Sequence, residues 1–166
     1  MNVIGPRAEW TIRLESLEAT LDFGHELGRC IQSPGLIAFF GELGSGKTTL
    51  IQAIGEGLGI TGRATSPTYT IINLHPGGRL PLLHVDCYRI EEPAELYEIG
   101  LDEWLAGPHL VCMEWSEHAR ALLPGRRMEL RLACPAPEQR TARLLLFADL
   151  WPELDRRLDL IAQKSG

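Results

Sequence analysis

The segment GELGSGKTTL, residues 41 to 50, has the residue types of a phosphate-binding loop. Gly41, Gly46, Lys47 and Thr48 match the pattern GxxxxGK[ST], in which glycines let successive backbone N–H groups turn toward a phosphate. The lysine offers a positive charge to the β and γ phosphates, and the threonine hydroxyl is a ligand for Mg²⁺. The pattern predicts a site for a nucleoside triphosphate and magnesium. Its candidate nucleotide-binding residues are Glu42, Leu43, Gly44, Ser45, Gly46, Lys47, Thr48 and Thr49.

Two carboxylates are candidates for the acidic group that such a loop needs before it can hydrolyse a nucleotide. Glu114 ends the apolar run HLVCMEW, where it would lie at the carboxyl end of a strand, the edge at which α/β sheets bind ligands. Asp86 lies in HVDCYR, on one strand face with His84 and Tyr88. Each acid could instead cap a strand end. Together with the loop, they are interpreted as residues that bind Mg²⁺ or position the attacking water.

The segment SPTYT, residues 66 to 70, follows the helix of the phosphate-binding loop. Ser66 and Thr68 have hydroxyl groups that could contact a γ phosphate or its metal ion, as in a nucleotide-sensing switch. A plain turn that begins around Pro67 explains the composition equally well.

The loop stands between a strand and a helix, which is the context that the pattern requires. LIAFF, residues 36 to 40, has no polar alternation and predicts a central strand covered on both faces. Apolar residues at helical spacing between positions 50 and 58 predict a helix that Gly59 can end.

The rest of the chain alternates strand and helix patterns. We therefore expect an α/β fold: a three-layer sheet of the P-loop NTPase type, helices on both faces, and antiparallel strands at an edge, in one domain over residues 1–166. The predicted elements are a strand at 10–16, a helix at 17–31 capped by Ser16, strands within 69–74, 81–90, 109–115, 127–133 and 140–147, one or two helices at 92–105, and a helix from Pro152.

Composition narrows the classes of function. The formal net charge of −6 disfavours a protein that binds nucleic acid unaided, and no stretch resembles a secretory signal or a membrane helix, so we expect a soluble, cytoplasmic protein. The widely spaced cysteines, Cys30, Cys87, Cys112 and Cys134, are interpreted as reduced core residues.

Five motifs in this order, GELGSGKTT, SPTYT, HVDCYR, EIGLDEWL and MEWSE, resemble the TsaE family. Members of that family are P-loop ATPases of bacterial tRNA threonylcarbamoyladenosine biosynthesis. The resemblance covers residues 16 to 146 and implies that the chain hydrolyses ATP together with the proteins TsaD and TsaB. It also implies that the chain contacts tRNA only indirectly, through that complex, which agrees with its negative net charge.

The resemblance further implies roles for individual residues. Thr48 and Glu114 would hold Mg²⁺, Lys47 would grip the phosphates, and Asp86 would be needed for hydrolysis. Trp115 would lie near the nucleotide, although it could equally be a packing residue, and SPTYT would act as a switch. Hydrolysis by the isolated chain is expected to be slow.

Two other functions stay open from the sequence. A small-molecule kinase of the P-loop class needs a lid with arginines, for which Arg63, Arg79 and Arg89 are the candidates, although no arginine-rich lid is evident. A non-catalytic adaptor would bind ATP only to hold its partners together. The acids Glu114 and Asp86 argue weakly against the adaptor.

Overall fold

A computed structural model describes residues 5–62 and 71–165 of the chain. In these residues seven strands form one sheet in the order β1-β7-β6-β2-β5-β4-β3. The strands are β1 Ala8–Leu14, β2 Gly35–Phe40, β3 Ile72–His75, β4 Leu82–Asp86, β5 Leu110–Glu114, β6 Met128–Ala136 and β7 Gln139–Leu146. The helices are α1 Leu17–Cys30, α2 Lys47–Gly57, α3 Ala94–Glu98, α4 Leu101–Leu105, α5 Pro152–Lys164 and a 3₁₀ helix Ser116–Leu122.

The centre of the sheet is parallel, and its edges are antiparallel. Strand β2 pairs in parallel with β6 and with β5, and β5 pairs in parallel with β4. The expected antiparallel addition is confirmed at one edge, where β7 pairs with β6 and β1 pairs with β7. The other edge is also antiparallel, because β3 runs opposite to β4. The sequence pattern does not predict this second antiparallel edge, because four-residue strands such as β3 show almost no periodicity.

Helices pack on both faces of the sheet, as expected for three layers. The larger hydrophobic core lies between the sheet and helices α1, α2 and α5. The smaller core lies on the opposite face, between strands β2, β4 and β5 and the short helices α3, α4 and 3₁₀. Strands β6, β7 and β1 contribute no residue to this second core. Their outer face is therefore without a helix in the described part of the chain, and the third layer covers only half of the sheet.

Local signals decide where the helices begin and end. The hydroxyl of Ser16 accepts a hydrogen bond of 3.0 Å from the N–H of Ala19, which confirms the predicted cap of α1. Gly59 follows α2 with a φ of 85°, and the N–H groups of Gly59 and Ile60 donate to the carbonyls of Glu56 and Gly55. This is the pattern of a Schellman motif, which ends the helix where the sequence predicts.

The cysteines differ from the prediction at one position. All four are free, and Cys30, Cys87 and Cys112 are buried as expected, but Cys134 is exposed on β6. It lies near the end of an antiparallel pair, where the hairpin extends beyond the core. Among the described residues no helix is long and apolar enough to cross a lipid bilayer.

Candidate nucleotide and metal site

The GxxxxGK[ST] segment forms the connection between β2 and α2. Gly46 precedes α2 with a φ of 100°, a left-handed conformation that residues with a Cβ adopt only at a cost. At Gly41 a Cβ atom would lie 2.6 Å from the carbonyl oxygen of Leu132 and 2.8 Å from the Oγ of Ser45. Glycine is therefore required at the first position for space and at the second for backbone conformation, which gives the motif its spacing.

Lys47 is the first residue of α2, and its side chain folds back over the loop. Its Nζ donates hydrogen bonds to the carbonyls of Gly41 and Glu42 at 2.5 and 3.0 Å, and it lies 4.1 Å from the centre of the Trp115 ring. Only 4% of the residue is exposed. This burial lowers the pKa of Lys47, while the nearby carboxylates, Glu114 first among them, partly oppose that effect. The described partners of this ammonium group are neutral oxygens and an aromatic ring, so its positive charge is not cancelled by a directly bonded carboxylate.

Glu114 connects the loop helix to the neighbouring strand. Its Oε1 accepts a hydrogen bond of 2.8 Å from the hydroxyl of Thr48, and its Oε2 lies 2.6 Å from the Nε2 of His84. The sheet register explains the second contact, because His84 on β4 is adjacent to β5 and points to the same side. Glu114 is 4% exposed and His84 is fully buried. The two oxygens of the carboxylate are thus oriented by two different elements.

The environment keeps Glu114 ionised. Burial by itself raises the pKa of a carboxyl group, but the hydrogen bonds from His84 and Thr48 and the charge of Lys47 outweigh burial, so the pKa of Glu114 lies below its ordinary value. An ionised carboxylate only accepts hydrogen bonds, so the proton of the contact belongs to the Nε2 of His84. The Nδ1 of His84 is buried without a hydrogen-bond partner among the described residues.

Asp86 ends β4 directly beside Glu114, with which it is paired in the register of the sheet. Its Oδ1 accepts a hydrogen bond of 3.0 Å from the N–H of Tyr88. The expected alternation is confirmed for His84, Val85 and Asp86, since Val85 points into the smaller core while His84 does not. Tyr88 lies beyond the end of β4, in a turn, so its predicted place on this strand was wrong. Asp86 is partly exposed and lines the cavity next to the loop.

Trp115 has an unusual backbone conformation. Its φ is 55° and its ψ is 43°, and it is the one non-glycine residue with a positive φ in the described ranges. A bulky residue adopts this conformation only at a cost, which the surroundings must offset. The hydroxyl of Ser116 donates to the carbonyl of Met113 at 2.8 Å and stabilises the turn. The turn places the indole ring over Lys47 and 5.0 Å from the ring of Tyr88.

These residues surround a cavity of about 410 Å³. Most of the predicted site residues line it, whereas Glu42 and Ser45 do not. Glu42 offers its carbonyl to Lys47, and Ser45 is buried with its Oγ 3.4 Å from the Nζ of Lys47. The cavity is lined by Leu43, Gly44, Gly46, Lys47, Thr48, Thr49, Asp86, Tyr88, Glu114, Trp115 and Arg140.

Sequence reasoning missed two features of this site. Arg140 on β7 lines the cavity and donates through Nε to the carbonyl of Ser45 at 2.8 Å. It lies 95 positions from the loop, so no local pattern connects the two. The alternation places His84 on the strand face of Asp86 but does not predict its contact with Glu114. The order of β4 and β5 in the sheet is needed to find that contact.

The candidate lid arginines do not form a lid in the described part of the chain. The prediction of Arg79 as a lid residue was wrong. Its guanidinium donates hydrogen bonds to the backbone carbonyls of Gly28, Arg29 and Ile31 at the end of α1. Arg89 is exposed and does not line the cavity. Arg63 and the segment SPTYT lie outside the described residues.

The donor set at the cavity suits one kind of metal ion. The described residues hold no group of three or more His, Cys, Asp or Glu side chains that could bind a metal. The oxygens of Thr48 and Glu114, which are hydrogen-bonded to each other, would instead provide two oxygen ligands. Mg²⁺ is typically held by one or two protein oxygens, with waters and substrate phosphates completing its shell. The residues present therefore fit Mg²⁺ bound together with a nucleotide and do not fit zinc.

Comparison with known proteins agrees with the motifs. Residues 14–142 match the family model of the threonylcarbamoyl adenosine biosynthesis protein TsaE. The chain is 44% identical over 110 residues to the tRNA threonylcarbamoyladenosine biosynthesis protein TsaE of Nostoc, with 64% of this chain and 67% of that protein covered. It is 40% identical over 114 residues to the protein of that name from Streptomyces coelicolor, with coverage of 67% and 76%.

A solved structure shows the same architecture. The crystal structure of YdiB from Bacillus subtilis aligns with a TM-score of 0.76 and 26% sequence identity, over 92% of this chain and 95% of that one. The TsaE protein of Bacillus subtilis is 37% identical over 116 residues, with 69% of this chain and 72% of that protein covered. The family model spans more than half of the chain, including the phosphate-binding loop, Asp86 and Glu114. The chain therefore belongs to the TsaE family of threonylcarbamoyl adenosine biosynthesis proteins.

Proposed function

We propose that this chain binds and hydrolyses Mg·ATP and that hydrolysis supports threonylcarbamoyladenosine modification of tRNA, in a complex with TsaD and TsaB. The observation that carries the proposal is the contact between the Thr48 hydroxyl and the Glu114 carboxylate, 2.8 Å long, beside the buried ammonium group of Lys47. These are the groups that magnesium and a triphosphate require, and they lie within one cavity.

Charge neutralisation and positioning are the main contributions expected from the protein in phosphoryl transfer. Lys47 would exchange its hydrogen bonds to the loop carbonyls for bonds to phosphate oxygens. The guanidinium of Arg140, which lines the same cavity, would add a second positive charge. A magnesium ion bound by Thr48 and Glu114 would neutralise charge on the β and γ phosphates.

Asp86 is the residue proposed to direct the attacking water. It is adjacent to Glu114, and its Oδ1 is held by the N–H of Tyr88, which fixes the orientation of the carboxylate. The second oxygen would accept a hydrogen bond from a water molecule near the γ phosphate. Trp115, above Lys47, would limit access of bulk water to this part of the cavity.

The test is phosphate release from Mg·ATP by the purified chain, alone and with TsaD and TsaB. We expect slow release by the chain alone, stimulation by the two proteins, and a loss of at least about 100-fold in the Lys47→Ala variant. Arg156→Ala, which changes an exposed arginine on α5, is the control and should release phosphate like the parent.

Each alternative function predicts a different outcome. The chain is an adaptor if ATP binds but no mixture releases phosphate, and if the Lys47→Ala variant assembles with TsaD and TsaB as well as the parent does. If a nucleoside or metabolite is phosphorylated instead, the chain is a kinase. Equal phosphate release by the parent and Lys47→Ala in the assembled complex would show that the site assignment is wrong.

A further inference from the structure

The half of the sheet formed by β6, β7 and β1 is rich in arginine on the side where the described residues place no helix. Strands β6, β7 and β1 present Arg131, Arg143 and Arg13 on this side, and Arg120 of the 3₁₀ helix and Arg127 border it. We call these five residues the arginine face. The two carboxylates among them are Glu9 and Glu129, which leaves the face with a net charge of +3 on a chain whose formal net charge is −6.

The arginines fall into two groups by their partners. Glu129 is buried and binds Arg127 at 2.8 Å and Arg131 at 2.7 Å, and Glu9 pairs with Arg143. Arg13 and Arg120 are exposed and form no ion pair with any carboxylate that the structure describes. The face is thus held in shape by internal pairs, and two of its guanidinium groups stay available for an external anion.

Aromatic rings lie beneath the guanidinium groups. Arg120 and Arg131 are 4.9 and 5.1 Å from the centre of the Phe40 ring, and Arg127 lies 3.9 Å from the centre of the Phe147 ring. Phe40 is 6% exposed. Because the arginines cover the rings, Phe40 and Phe147 do not offer a platform on which unpaired bases could stack.

The features of this surface favour a protein partner over RNA. A polyanion such as RNA meets the repulsion of an acidic chain, and the two carboxylates lie among the arginines. Arginine stacked on an aromatic ring is frequent in protein interfaces, and its planar fork binds carboxylates with two parallel hydrogen bonds. We propose that the arginine face docks on a carboxylate-rich surface of a protein partner, which, if the proposed function holds, is TsaD or TsaB.

The test compares two charge reversals of equal size. In R13E/R120E both changed residues lie on the arginine face, and neither belongs to the nucleotide site. In R156E/K164E both changed residues are exposed on α5, which packs on the opposite face. The dissociation constant for a TsaD and TsaB mixture is measured by calorimetry with Mg·ATP at about 50 mM and about 300 mM NaCl.

We expect R13E/R120E to raise the dissociation constant by about tenfold or more at low salt and R156E/K164E to change it by less than about twofold. Added salt should raise the dissociation constant of the parent toward that of R13E/R120E. Phosphate release by R13E/R120E alone should equal that of the parent, which separates a failure of docking from a failure of the nucleotide site.

Three outcomes would overturn the proposal. The first is binding of R13E/R120E with the affinity of the parent, and the second is a parent chain that binds neither protein. The third is direct binding of tRNA by the parent chain in a filter assay, abolished by R13E/R120E, which would assign the face to RNA. Thermal unfolding of both variants shows whether they fold, since exposed residues without ion pairs are expected to tolerate the change.

Discussion

Glu114 and Glu129 are both buried glutamates on neighbouring parts of one sheet, yet their partners differ. Glu129 lies between two guanidinium groups, from Arg127 and Arg131, and these neutralise it within the protein. Glu114 contacts a hydroxyl group and an imidazole directly, and the nearest ammonium group, Lys47, is bonded to the loop carbonyls instead. In both residues the pKa lies below its ordinary value, although burial opposes this.

The comparison shows that burial and ionisation alone do not identify a functional carboxylate. A carboxylate whose charge is cancelled by arginines stabilises the fold and has no need of a further cation. A carboxylate that is ionised by hydrogen bonds at the edge of a cavity retains the capacity to bind one. The predictions below test this division of roles.

The largest effect is expected from Glu114→Gln. The change removes the anionic oxygen that we assign to magnesium but preserves the shape of the side chain, so phosphate release with TsaD and TsaB should fall by at least about 100-fold. Glu117→Gln is the matched control, because it removes an exposed carboxylate whose charge also acts on Lys47. Equal losses of phosphate release in the two variants would mean that the site needs only negative charge near Lys47 and not a carboxylate at position 114.

Glu129→Gln should act on stability instead. It leaves Arg127 and Arg131 without their shared partner, and since both arginines are partly exposed we expect a loss of about 2 kcal/mol in the free energy of unfolding in urea. Glu9→Gln removes an exposed carboxylate from the same face and should leave the free energy of unfolding nearly unchanged. A folded Glu129→Gln variant that loses phosphate release would contradict the division.

His84 should have an intermediate effect, because it contacts Glu114 but does not line the cavity. His84→Leu removes the donor to Oε2 and should lower phosphate release about tenfold and raise the Mg²⁺ concentration needed for half of the maximal rate. His84→Gln retains an N–H donor on a side chain of similar reach and should recover much of the loss. If Gln gives no recovery while both variants melt like the parent, His84 has no positioning role.

The smallest expected effect is the acid dependence of the Glu129 contribution. The folded state lowers the pKa of Glu129. The stabilisation that the ionised carboxylate provides is therefore complete when the pH is above the ordinary pKa of about 4.5, and it is lost as the pH falls through the lower pKa of the folded state. The difference in unfolding free energy between the parent and Glu129→Gln should therefore be constant from about pH 7 to about pH 5 and shrink toward about pH 3. A difference that grows toward low pH would reverse the sign of this linkage.

The sequence by itself determined much of this protein. The phosphate-binding loop follows from Gly41, Gly46 and Lys47, because the motif is continuous in sequence and the left-handed backbone at Gly46 is a local requirement. The same holds for the cap at Ser16 and the end of α2 at Gly59, where the signals act within a few residues. The lack of space at Gly41, in contrast, comes from Leu132 on β6. Glu114 and Asp86 were identified because acids at the ends of apolar strands meet at one edge of a parallel sheet.

Only the tertiary structure decided which distant residues join that site and which strands stay without a helix on one side in the described ranges. Arg140 reaches the loop because β7 pairs with β6 and β6 with β2, and His84 reaches Glu114 because β4 lies beside β5. The arginine face exists because the short helices α3, α4 and 3₁₀ cover only strands β2, β4 and β5. Strand order and helix coverage depend on contacts between remote segments, whose free energy no local pattern of residues expresses.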